Sequence, residues 1–242
     1  MAPPTLALAR VAARLRESGG PPEPPATSDP FELVLLENVA YLADPEARRE
    51  AFDALRRSVG TRPAEILGAR RSALEKVTER GILGARFASR LQECARIAME
   101  RFGGDLDAAL RGPVDQAKRV LRAFPGIGEP GAEKVLLFSG RALFLAPDSN
   151  ALRVLARLGL AEEGRSYAKT YASSRAAAES LPATASAYRE AHLLLQRHGR
   201  LVCRRSAPRC DACPLVRDCA YARGVAAGSA ARIRSRRSKG SS

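Results

Sequence analysis

The feature that most restricts this chain is the run Cys203-x6-Cys210-x2-Cys213-x5-Cys219, four thiols gathered into one short C-terminal loop. The fifth cysteine, Cys94, stands alone in a helical stretch and reads as core. The N-terminus, with Pro3, Pro4 and Arg10, lacks the layout of an export signal, so the four point to a metal centre rather than to disulfides. Zinc sites of comparable size pair two close cysteines with two further close ligands. Here only Cys210 and Cys213 are close, and the outer two wrap around them. Four thiolates so arranged suit a cubane [4Fe–4S] cluster, which takes four Cys ligands. A zinc site and plain thiols are the alternatives.

The rest of the chain carries helical periodicity and no sustained strand alternation, which predicts an all-α fold. A short amphipathic helix is expected over 6–16, then a Gly/Pro-rich connector over 19–25. Asp29-Pro30-Phe31-Glu32 reads as a helix start, with Asp as cap, Pro in the first turn and Glu reaching back. That helix should run to about 42, with further helices over 45–58, 63–67, 71–80, 85–102 and 105–110. After 148 come helices to about 158, over 167–181 and over 184–198. The last stretch, 224–242, is Arg-rich with few large apolar residues and is expected to be a disordered basic tail.

Between two of these helices lies Phe124-Pro125-Gly126-Ile127-Gly128-Glu129-Pro130. The segment before it, 114–124, has apolar residues at helical spacing, and Pro130 suits the first turn of the next helix. Helix, Gly-x-Gly turn, helix is a hairpin whose turn amides at Gly126, Ile127 and Gly128 can hold a phosphate oxygen. A plain helical hairpin is the other reading. A net charge of +14 favours a polyanionic partner, and no apolar run approaches the length needed to span a bilayer.

Taken in order, the hairpin, Asp148-Ser149-Asn150, His198-Gly199-Arg200 and the cysteines resemble the helix-hairpin-helix DNA glycosylases of the endonuclease III type, over about 29 to 219. The cysteine spacing matches that family's cluster motif at every step. The resemblance implies a two-lobed fold: a six-helix barrel over 29–145, and a lobe of 1–28 with 146–223 that holds the cluster loop. It implies double-stranded DNA as partner, with no membrane, a monomeric protein, and a cytoplasmic, nucleoid-associated setting in a prokaryote. Arg204, Arg205 and Arg209, between the first two cysteines, suit phosphate contact, or are solvated charges on an exposed turn. His198 reads as packing or capping.

In this family the Asp after the hairpin faces the sugar of an extruded nucleotide, which gives Asp148 a catalytic role beside its place as a helix cap. Glu37, on an otherwise apolar helix, resembles the glutamate that protonates the departing base in the family's adenine glycosylase; burial would raise its pKa. Otherwise it is an exposed polar-face residue. Tyr41 and Leu42 fall where the family fills the gap left by the flipped base, or are core. The family's nucleophilic Lys, two residues after the second turn glycine, is here Pro130. A Schiff base with the sugar loses its usual agent. A monofunctional glycosylase acting on a pyrimidine (uracil, mismatched thymine or an oxidised pyrimidine) is therefore expected. The alternatives are a lyase using Lys134, otherwise a surface or phosphate contact, and a non-catalytic iron–sulfur DNA-binding protein.

Overall fold

Helix after helix in this protein begins on a side chain that accepts the first free amides. Asp29, Asp44, Asp105, Ser166 and Thr184 each take the N–H three residues on, at 2.8–3.3 Å. Such caps satisfy donors that a helix cannot satisfy itself, and their spacing cuts the chain into short helices. The computed structural model describes residues 7–40, 43–79 and 84–224 and shows no strand among them. No described helix is long and apolar enough to cross a membrane.

The first helix, α1 (Leu8–Gly19), buries Leu8, Val11 and Leu15 along one stripe. It belongs to a unit that resumes at Pro147; between lies a second unit, Pro24–Ala146. This second unit holds α2 (Pro30–Val39), α3 (Pro45–Ser58), α4 (Pro63–Gly68), α5 (Arg71–Thr78), α6 (Gly84–Phe102), α7 (Leu106–Ala109), α8 (Val114–Leu121) and α9 (Glu129–Phe138). α2 is its axis, packed by α3, α6, α7 and α9. It buries Phe31, Leu33, Val34, Leu35 and Val39, too many for a single stripe, as a helix surrounded by others requires. α6 faces it with Phe87, Ala88, Leu91, Cys94, Ala95 and Ala98 at helical spacing.

Within this unit Arg49 donates to the Pro24 carbonyl at 3.1 Å and Thr27 bonds Glu32. Those contacts correct the expected capping box. The Asp29 amide donates to Thr27 Oγ1 at 3.0 Å, while the Glu32 carboxylate takes Thr27, Thr61 and Arg56.

The first unit continues with α10 (Ser149–Leu158), α11 (Tyr167–Ser173) and α12 (Ala185–Leu201), and α12 packs on both α1 and α10. The helix expected over 167–181 is α11 followed by a 3₁₀ segment, Ser174–Ser180. The cause is local: Ser173 and Ser174 hydroxyls donate to the Thr170 and Tyr171 carbonyls at 2.8 and 2.7 Å, competing with the helix ladder. The expected tail over 224–242 lies outside the described residues except for Gly224, as do Tyr41 and Leu42.

Leu91 is fully buried at the centre of α6. Leu91→Ala should cost about 2–5 kcal/mol of stability, read as a lower urea midpoint at unchanged slope.

Candidate functional site

In the unit Pro24–Ala146 the hairpin is α8, a turn and α9. α8 ends at Leu121, three residues before the expected end, because its exit tightens: Ala123 and Phe124 amides donate to Val120 and Leu121 at 3.2 and 3.1 Å. Pro125 drives this, since the residue before a proline avoids helical backbone. Gly126 then takes φ +78°, and an added Cβ would stand 2.9 Å from Asn38 Oδ1. Asn38, buried on α2, donates to the carbonyls of Val34 and Pro125 at 3.0 and 3.1 Å and so ties the turn to the axial helix.

Gly126 and Gly128 are exposed. Ile127 is not available as expected: its amide donates to the Phe124 carbonyl at 3.2 Å and its side chain is buried. Glu129, at the start of α9, would repel a phosphate. It is met by Lys118, with Arg122 at 3.8 Å. Lys118 also donates to the buried Glu133 at 2.9 Å. Burial alone would lower the Lys118 ammonium, but the bonds to Glu129 and Glu133 outweigh it and raise the group above its ordinary value.

Glu37 projects from α2 beside α9. Its Oε1 lies 2.5 Å from Lys134 Nζ and 3.7 Å from Arg48. The three side chains are 20%, 19% and 25% exposed, so this is a half-buried cluster. Neighbouring cations favour the ionised carboxylate, whereas burial favours the acid. Lys134 is therefore a partner of Glu37 rather than a surface group. Pro130 stands in the first turn of α9.

The unit that resumes at Pro147 holds the other candidate residues. Asp148 caps α10: Oδ1 accepts the amides of Asn150 and Ala151 at 3.0 and 2.8 Å, and Oδ2 accepts Gln196 Nε2, from α12, at 2.9 Å. The ring of Tyr167, 48% exposed, stacks on Tyr171 at 6.0 Å, and its hydroxyl is 3.5 Å from the Pro147 carbonyl. Burial and then the charge of Asp148 raise its phenol. Gln196, Tyr167 and Asn38 were not singled out in the sequence. A polar side chain inside an apolar helical stretch was the available signal for Gln196 and Asn38; Tyr167 had none.

α10 and α12 approach so closely at Gly199 that a Cβ there would stand 2.5 Å from the Asn150 carbonyl. Across this contact Arg153 donates to Asn150 Oδ1, the Gly199 carbonyl and the Cys203 carbonyl, at 2.7–2.9 Å. One turn on, Arg157 donates to the carbonyls of Arg204 and Arg205 at 2.7 and 3.1 Å, approaches Cys203 Sγ at 3.4 Å and stacks over Tyr221.

Cys203, Cys210, Cys213 and Cys219 all line one partly open pocket, with Arg157, Val202, Val216 and Tyr221 among its walls. Burial raises the thiols of Cys210 and Cys213, and the charges of the neighbouring cysteines add to it. Sulfurs that repel as thiolates are a set that a bound cationic centre would stabilise. Among the described residues no group of His, Cys, Asp and Glu converges tightly enough to hold a single metal ion. Buried His198 is held neutral, its pKa pushed down to about 4 by desolvation, with Nε2 3.5 Å from Cys213 Sγ. Arg204, Arg205 and Arg209 are exposed on the loop.

No family model matches the chain. Endonuclease III of Sulfolobus acidocaldarius is 31% identical over 119 residues, 48% of this chain and 50% of that protein. The chain spans about half the length of the curated relatives it matches. Among solved structures, an endonuclease III trapped covalently on DNA superposes with a TM-score of 0.70 at 19% identity, covering 90% of this chain and 98% of that one. A thermostable thymine-DNA glycosylase superposes at 0.72 and 18% identity, covering 90% and 97%. The fold is that of the endonuclease III-type DNA glycosylases.

Gly126→Ala should strain the turn and displace Asn38. The expected loss is about 1–3 kcal/mol, seen as a lower thermal midpoint.

Proposed function

We propose that this chain is a DNA glycosylase of base-excision repair, which extrudes a damaged or mismatched base from duplex DNA and hydrolyses its N-glycosidic bond. The observation that carries the proposal is Asp148: a carboxylate oriented by the Asn150 and Ala151 amides and by Gln196 at the head of α10, in an endonuclease III-type fold. As the C1′–N bond breaks, the base leaves with the bonding electrons and gains a proton. The sugar takes on oxocarbenium character, which the Asp148 anion stabilises. Water adds at C1′ and gives up a proton. An extruded pyrimidine, uracil, mismatched thymine or an oxidised pyrimidine, is the substrate class assigned.

Two features support hydrolysis without strand cleavage. Pro130 has no amine, and the Lys134 nitrogen is engaged by Glu37 Oε1 at 2.5 Å. Glu37 is assigned to base departure as a proton donor; to act it would have to hold a proton and part from Lys134. Exposed Gly126 and Gly128, with the N-terminal end of α9, are assigned to a phosphate. Arg204, Arg205 and Arg209 are assigned to others, so a single protein copy binds with marked salt dependence. Tyr41 and Leu42 are assigned to the gap left by the base.

Cys203, Cys210, Cys213 and Cys219 are assigned as ligands of a [4Fe–4S] cluster, for which their shared cavity is the supporting observation. The cluster would supply cross-links within the loop. Arg157 and Arg153 hold the same loop to α10 through its carbonyls.

Duplexes carrying uracil, a thymine–guanine mismatch or oxidised pyrimidines should yield strand breaks only after hot alkali. Asp148→Asn should slow base release by about a hundredfold or more. Breaks without alkali, with borohydride trapping lost in Lys134→Ala, would establish the lyase instead. Tight binding with no release from any duplex would establish the non-catalytic protein. Purified protein should contain about four irons and four sulfides per chain, with broad visible absorbance, and Cys213→Ala should lose both. One zinc and no colour would replace the cluster assignment.

A further inference from the structure

We propose that Gln196 is a positioning residue for Asp148, fixing the direction of its carboxylate from the neighbouring helix. The inference rests on the catalytic reading of Asp148 for its functional meaning, though not for its physical content. Backbone amides at the head of α10 orient Oδ1, as in any capped helix. Gln196 adds a donor to Oδ2 from a different helix, with Nε2 at 2.9 Å. An ionised carboxylate only accepts hydrogen bonds, so the amide must turn its NH2 toward Asp148. Gln196 sits in α12 between buried Leu195 and Arg197, whose guanidinium bonds the Gly20 and Pro21 carbonyls. Its backbone is thereby anchored on both sides.

The chemical consequence is a choice between two uses of one carboxylate. N–H donors on both oxygens stabilise the anion and weaken it as a base. Such a group is suited to oppose a developing positive charge on the sugar and poorly suited to take a proton from water. Without Gln196 the carboxylate would be a stronger base that protonates earlier as pH falls. Among the ionisable groups bearing on Asp148 are Arg153 of α10 and Tyr167 of α11. On the remaining packed elements, Arg175 and Glu179 of the 3₁₀ segment are exposed, His192 and His198 of α12 are buried, and Arg200 of α12 is half-buried one turn beyond Gln196.

The test is carried out on the protein with ¹³C-labelled aspartate, following the Asp148 carboxyl resonance through a pH titration and identifying it by its loss in Asp148→Asn. Gln196→Met keeps the length and removes the donor. Its Asp148 midpoint should lie above the wild-type value by about one pH unit, the size expected for one hydrogen bond to a charged group. Gln196→Glu keeps the shape and adds a like charge, and should move the midpoint further up. It also serves if the Met variant folds poorly. Midpoints equal to wild type in both variants would overturn the proposal. In parallel, the acid limb of the single-turnover pH profile is measured on a uracil duplex and should move with the carboxyl midpoint. A resonance that moves while the rate limb stays would uphold the positioning role and overturn the catalytic assignment of Asp148, so the two failures are distinguishable.

Discussion

The close contact of α10 and α12 is the constraint on which the candidate chemistry depends. It exists because Gly199 has no side chain: any Cβ there would press on the Asn150 carbonyl at 2.5 Å. With the helices that close, Gln196 reaches Asp148 from one and Arg153 reaches the Gly199 and Cys203 carbonyls from the other. A bulkier residue at 199 would lengthen all of these bonds together. The same contact serves the cysteine loop, whose first thiol follows directly from the end of α12. His198, one residue before the glycine, accepts the Val202 and Cys203 amides on its carbonyl and buries its neutral ring against Cys213. Helix packing, carboxylate and loop thus share one short stretch of backbone.

The hairpin of the other unit is held by a comparable device of opposite character. There a polar side chain, Asn38, replaces a missing one and clamps the turn by its carbonyl at Pro125. An amide on the buried face of an axial helix costs free energy unless its hydrogen bonds are made, and the turn supplies one of them. Charge is arranged around the same turn. Glu129 at the head of α9 and the buried Glu133 converge on Lys118, and the match of two carboxylates to one ammonium, with Arg122 nearby, limits the negative field at the turn. An anion-binding role for a hairpin with an acidic first residue depends on this neutralisation.

Glu37 illustrates how a tertiary neighbour changes the meaning of a residue. On an apolar helix, a glutamate suggests a buried acid with a raised pKa. Placed beside α9, it meets Lys134 at 2.5 Å and Arg48 at 3.7 Å. The opposing charges favour the anion where burial alone would favour the acid. Lys134, considered as a substitute nucleophile, is accounted for by the same ion pair. One contact between two helices bears on both assignments.

Much was determined by the sequence alone, because it rests on local rules. Apolar periodicity and the capping residue at Asp29 marked the helices, and the Gly-x-Gly run marked the hairpin. The cysteine spacing marked the loop whose four thiols line one cavity. Helix ends deviated where a neighbour intervened, as at Ser173 and Ser174, or where Pro125 tightened the exit of α8. Asn38 on the turn, Gln196 on Asp148, Lys134 on Glu37 and Arg157 on the cysteine loop were decided only by the tertiary structure. Each joins residues far apart in the chain, and no periodicity or spacing records which side chains two packed helices will bring within hydrogen-bonding distance.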